Sequence, residues 1–219
     1  MVVAKVDRPQ NIQTLIDSVE RYNPENVPVL EDYLSQQCSN DTYDLEANLA
    51  LLKLYQFNLS SAKESVIVNI LSKALTAIPG PDFNLCMYLL ADFAASENVQ
   101  QLIQFQQLLE QARYAEFWKV YASHKELVKA VNGFEDAIRA VIAKVVSMSY
   151  QSINKSVLES YFALDGKAFE DFCAKHQWQI NGNVVTIPVN KDNEAKSVEV
   201  RENIKFEQLT KVIGYSNEM

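Results

Sequence analysis

Glycine and proline are scarce in this chain, together eleven of 219 positions, less than half the usual ~12%. That excludes collagen-like and low-complexity classes and disfavours a turn-rich sandwich or barrel, so helices are the expected element. Cysteine is scarce too. Cys38, Cys86 and Cys173 lie far apart with no C-x-x-C, which argues against a disulfide framework or a zinc ribbon and fits a reducing compartment, the cytosol, with a nuclear pool compatible. Basic charge is in deficit: 20 Lys and Arg face 28 Asp and Glu, a formal net charge of −8. That sign is opposite to what duplex nucleic acid or an anionic membrane attracts, although a local basic patch stays open. No uncharged apolar run reaches the ~18 residues of a membrane span. Lys5, Asp7 and Arg8 bring charge too early for a secretory leader. A soluble protein with no membrane partner is expected. What is present is apolar mass: 48% of the residues and a length that buries roughly 70% of the unfolded surface, enough for one or two real cores.

Over the first 130 residues that mass recurs at three- and four-residue steps, the spacing that gathers side chains on one face of a helix. Ile12, Leu15, Ile16 and Val19 form a first stripe, which Asn23-Pro24-Glu25-Asn26 interrupts, since proline cannot extend a helix and restricts the residue before it. Val29, Leu30, Tyr33, Leu34 and Cys38 form a second. Leu45, Leu49, Leu51, Leu52, Leu54 and Tyr55 make a third, wide enough to be covered from two sides and therefore central. Ser61-Ala62-Lys63-Glu64 has the spacing of a capping box ahead of the stripe Val66 to Ile78. Pro79-Gly80-Pro81 ends it, and stripes through Phe83–Ala94, Leu102–Ala112 and Tyr114–Tyr121 follow. Paired helices beginning near 11, 44, 82 and 114 suit stacked helix–turn–helix units, an α-solenoid of HEAT- or TPR-like type over 1–131.

Near Val131-Asn132-Gly133 the pattern changes. A long helix from Phe134 leads to a β-tolerant Tyr150–Ile153, a small helix to Phe162, another over Gly166–His176, and two β-prone segments around Asn181-Gly182-Asn183, a tight-hairpin signal. Helix, strand, helix, helix, strand, hairpin, strand is the order of a winged helix, placed at 132–190. Residues 191–219 form a charged C-terminal segment in which Val198, Ile204, Phe206, Leu209 and Val212 to Ile213 support one last helix. The fold class expected is mostly α, a solenoid followed by a winged-helix domain.

Specific segments look familiar: Arg21-Tyr22-Asn23-Pro24-Glu25-Asn26, the run Tyr43 to Asn58, Lys73 to Pro79 with Asp82 to Cys86, Phe117-Trp118, Gly133 to Asp136 and Ser149 to Ile153. Across roughly 12–187 they closely resemble the subunit K family of eukaryotic translation initiation factor 3. The resemblance implies a helical-repeat domain followed by a PCI-type winged helix, of the kind shared with the proteasome lid and the signalosome. It further implies a peripheral, non-catalytic role in the large factor that binds the small ribosomal subunit, with subunit L as the chief partner. An RNA-binding winged helix, or a PCI-type subunit of the lid or signalosome, are the alternative readings.

Catalytic motifs are lacking. His124 and His176 are the only histidines; neither sits in a G-x-S-x-G or Cys–His signature, and the five glycines are isolated, so no phosphate loop exists. Cys173 and His176 lie one helical turn apart without a second ligand pair for zinc. No enzyme, cofactor or metal is expected. The helix Gly166–His176 would be the groove-reading element of a winged helix, yet Lys167, Lys175 and His176 are offset by Asp165, Glu170 and Asp171, so RNA contact through them is weak. Surfaces remain. Val184, Val185, Thr186 and Ile187 are expected to form an exposed strand edge open to strand pairing, and Ile204, Phe206, Leu209 and Ile213 an apolar strip that joins a helical bundle with partner chains or folds back on this one.

Overall fold

Stripes become helices, and their interruptions turns, in a computed structural model of the chain, which describes residues 8–40, 42–196 and 206–216. Helix α1 (Gln10–Asp17) buries Ile12, Leu15 and Ile16, whereas Val19 falls in a 3-10 turn beyond it and is 81% exposed. Pro24 opens a second 3-10 turn, with the Asn23 side chain accepting from the Glu25 amide. Then come α2 (Val27–Asn40) and α3 (Leu45–Phe57). Asp44 caps α3 by accepting from the Ala47 amide. Leu51, Leu52, Leu54 and Tyr55 are wholly buried, the two-sided cover that the wide third stripe implies.

Helix α4 (Glu64–Leu75) starts without the capping box that its sequence suggests. The box needs Ser61 at the cap and Glu64 in the third helical position. Instead Ser61 donates to the Asn58 carbonyl inside a 3-10 turn, and Glu64 is the first residue of the helix, too early to reach back. Its carboxylate accepts from Ser96 Oγ and Asn98 Nδ2 of a later segment. Helices α5 (Asp82–Tyr88), α6 (Glu97–Glu110) and α7 (Tyr114–Ser123) follow, then a 3-10 turn at Lys125–Val128 and α8 (Phe134–Ser149). Alternate helices pack: α1 with α3, α3 with α5, α2 with α4 and α4 with α6. Phe105, Phe117, Trp118, Tyr121 and Phe134 form a contiguous aromatic core at the far end, their rings 5.1–6.2 Å apart.

The first pair is tied by polar groups as well. Arg8 donates Nε and Nη2 to the two oxygens of buried Asp44 at 2.6 and 2.8 Å, and Gln37 and Asn48 exchange amide hydrogen bonds between α2 and α3. Such groups cost free energy when buried unless satisfied, and here they fix how α1, α2 and α3 meet.

After α8 the chain forms β1 (Ser152–Asn154), α9 (Lys155–Phe162), α10 (Gly166–Lys175), β2 (Gln179–Asn181) and β3 (Val184–Thr186), and α11 (Phe206–Ser216) comes last. Gly182 turns the β2–β3 hairpin at φ +61°, as Asn-Gly allows. The sheet is antiparallel in the order β1-β3-β2, with Ile153 and Ile180 both opposite Val185. Trp118 of α7 and Arg139 of α8 donate to the last carbonyls of α9, those of Tyr161 and Phe162. At the other end of α8, Asn190 and Asn193 donate to Ser147, and Asn193 also to Tyr150 and Pro188. They satisfy terminal carbonyls that a helix leaves without internal partners.

Candidate interaction surfaces

The strand pairing decides which part of the sheet faces outward. β3 carries the most apolar strand sequence, and it lies in the middle, hydrogen-bonded to β1 on one side and β2 on the other. The expected exposed edge over Val184, Val185, Thr186 and Ile187 is therefore corrected: this backbone is already paired, and Val185 and Ile187 are core residues, 0% and 2% exposed. Side chains alternate across a strand, so Val184 and Thr186 point the other way and are exposed. The two edges of the sheet are β1 and β2, whose outward side chains are Ser152, Asn154, Gln179 and Asn181.

Helix α10 presents Lys167 and Lys175 to solvent beside exposed Glu170 and Asp171. His176 is not a free cation with them. Its ring packs 4.6 Å from Phe172 and 5.4 Å from Trp178, and burial first, then the Lys175 charge, lowers its pKa and favours the neutral ring. Cys173, one turn away, is buried, and desolvation pushes its thiol up to about 11. A buried protonated thiol and a stacked imidazole are packing groups. Among the described residues no group of three or more His, Cys, Asp or Glu is placed to hold a metal, and no helix is long and apolar enough to cross a membrane.

The C-terminal strip divides. Ile204 lies outside the described residues, and Phe206 opens α11. Leu209 and Ile213, one turn apart on one face, are 43% and 53% exposed, and Tyr215 is 73% exposed. The stretch 190–193 is staked to α8 by Asn190 and Asn193, a link for which the sequence offers only two asparagines three apart. The Trp118 and Arg139 clasp on α9 was equally invisible, because its partners are backbone carbonyls.

The sequence profile of the CSN8/PSMD8/EIF3K family matches residues 61–199. Three proteins named eukaryotic translation initiation factor 3 subunit K are similar over nearly the whole chain. That of Phaeosphaeria nodorum is 43% identical over 94% of this chain and 93% of its own length. The Botryotinia fuckeliana protein is 41% identical over the same shares, and the Yarrowia lipolytica protein 36% identical over 96% of each.

Proposed function

Since this chain belongs to the CSN8/PSMD8/EIF3K family, we propose that it is a non-catalytic scaffold subunit of eukaryotic translation initiation factor 3, acting in the cytoplasm in assembly of the factor on the small ribosomal subunit. The observation that carries this reading is the 43% identity across 94% of the chain to a protein named as subunit K of that factor. We read the alternate-helix packing of α1 to α6 as a HEAT-like solenoid, and α8 to β3, close to 132–190, as a PCI-type winged helix.

In this reading the work is done by surfaces. The chief partner, subunit L, and other subunits engage the outward side of the sheet, where Val184 and Thr186 stand, the edges of β1 and β2, and the open face of α11 with Leu209 and Ile213. A sheet edge adds a strand from a neighbour, and an amphipathic helix enters a bundle. Val185 and Ile187 support that surface from beneath.

Affinity purification of the tagged chain from cytosol, followed by mass spectrometry, tests it. Other subunits of the initiation factor are expected in near-stoichiometric amount. Recovery of proteasome-lid or signalosome subunits in their place sinks the reading in favour of another assembly. Salt-sensitive binding of structured RNA by the isolated chain would favour the RNA-binding alternative; the balanced charges of α10 predict little binding at any salt.

A further inference from the structure

Away from the sheet and α11, the N-terminal turns of α4 and α6 and the stretch 123–130, which holds the 3-10 turn after α7, line an open groove of about 830 Å³. Its apolar floor includes Val68 and Leu127. Its rim carries three carboxylates, Glu64, Glu97 and Glu126, against one ammonium, Lys129, which lies 3.0 Å from Glu126. His124 also faces it, with Nδ1 at 3.0 Å from the Val120 carbonyl oxygen. Glu64 is held in place by Ser96 and Asn98, whose hydrogen bonds lower its pKa and keep it ionised.

The groove does not stop there. A smaller depression of about 320 Å³ shares Glu97 and Gln101 with it and runs on along α6 past Gln100, Ile103, Gln104 and Gln107. At 1.5 Å per residue the stretch from Glu97 to Gln107 is about 15 Å long, the span of roughly five residues of extended chain. Gln101 donates to Gln104 Oε1 at 3.0 Å and Gln100 to the Ala94 carbonyl, each through one of its two amide hydrogens, so the row still offers the donors and acceptors that a peptide backbone requires, and none of the four glutamines carries charge.

We propose that this track binds an extended, lysine- or arginine-bearing segment of a partner protein. The cationic side chain sits in the wide end among Glu64, Glu97 and Glu126, its aliphatic stem lies on Val68 and Leu127, and the backbone runs along the glutamines of α6. Charge complementarity selects the occupant: an acidic segment would meet an excess of carboxylates. Because a cationic stem is itself apolar, one lysine satisfies both floor and rim. The site is separate from the sheet and α11 surfaces and does not depend on them.

The experiment uses the full chain and two fluorescein-labelled pools of short peptides, one with lysine fixed at the centre and one with glutamate, read by anisotropy. The lysine pool is expected to bind, more weakly as salt rises, and the glutamate pool not to. The double substitution Glu97→Lys with Glu126→Lys, both on exposed positions, is expected to weaken the lysine pool at least about tenfold. The same charge change on α10, Glu170→Lys with Asp171→Lys, should leave affinity within about twofold. Circular dichroism confirms that each variant folds. No binding of the lysine pool, equal binding of the glutamate pool, or equal loss in both double variants would each overturn the proposal.

Discussion

The indole Nε1–H of Trp118 donates to the Tyr161 carbonyl oxygen at 2.7 Å, joining α7 to the end of α9 across 43 positions of sequence. Arg139 does the same for the next carbonyl, Phe162, at 3.1 Å, and its guanidinium lies 5.1 Å from the centre of the Trp118 ring. The two donors thus act on neighbouring groups and on each other, and they tie α7 and α8 to the end of α9.

Replacing Trp118 by Phe keeps most of the packing and removes the donor. Urea unfolding should show a loss of about 1–2 kcal/mol, the cost of leaving a carbonyl unpaired. Combined with Arg139→Met, the effects should depart from additivity by more than ~0.5 kcal/mol, because the two side chains touch.

Neighbours in β3 should behave oppositely. Val185→Asp places a carboxylate between Ile153 and Ile180 in a position without solvent contact, and a loss of about 3 kcal/mol or more is expected by thermal or urea unfolding. Val184→Asp, on the open side at 42% exposure, should change stability by less than about 0.5 kcal/mol. Ile70→Asp in α4, at 0% exposure, should match Val185→Asp; Leu49→Asp, only partly buried, should cost less.

Acidification has a sign that His176 sets. Its folded pKa lies below the ordinary imidazole value, chiefly because burial disfavours the charged ring, so the unfolded chain binds the proton more readily. The stability this group contributes is complete above about pH 6.5 and falls as pH drops through the folded value. His176→Gln should flatten that part of the stability profile, measured by urea midpoints at successive pH values.

Asp44→Ala removes the main acceptor of Arg8, whose side chain is only 8% exposed and whose guanidinium pKa is raised chiefly by its hydrogen bonds to Asp44. Breaking a buried pair on one side costs about 3 kcal/mol, and Glu46, 3.0 Å from Nη2, remains as a lesser partner. Thermal unfolding should show the drop, with hydrogen exchange rising first in α1 and α2.

Leu209→Glu with Ile213→Glu alters α11 where it is open. Stability should stay within about 0.5 kcal/mol, whereas copurification of partner subunits should fall; unchanged recovery would remove α11 from the interface.

The helices were legible because their signal is local. Stripes such as Ile12, Leu15 and Ile16, or Leu51, Leu54 and Tyr55, are visible within a few turns, and Asn181-Gly182 marks its hairpin without help from elsewhere. The position of β3 was not legible, because its second partner, Ser152–Asn154, lies some thirty residues back, and only the pairing of Ile153 with Val185 shows which strand is enclosed. Ser61 and Glu64 have the right spacing for a cap, but the helix begins at Glu64, and a side chain thirty-two positions away takes its carboxylate. Of the expected surfaces, Leu209 and Ile213 are open, while Val185 and, just past the strand, Ile187 are enclosed because the pleat turns them to the core side, opposite to the exposed Val184. The groove along α6 had no signature at all, since three separate segments supply its walls.

Because the enclosed strand is the greasy one, both selvedges of the little sheet are short and trimmed with Ser152, Asn154, Gln179 and Asn181. Brief, polar borders are poor templates for runaway cross-β stacking. Two copies of this chain therefore have little to gain by self-pairing along those borders.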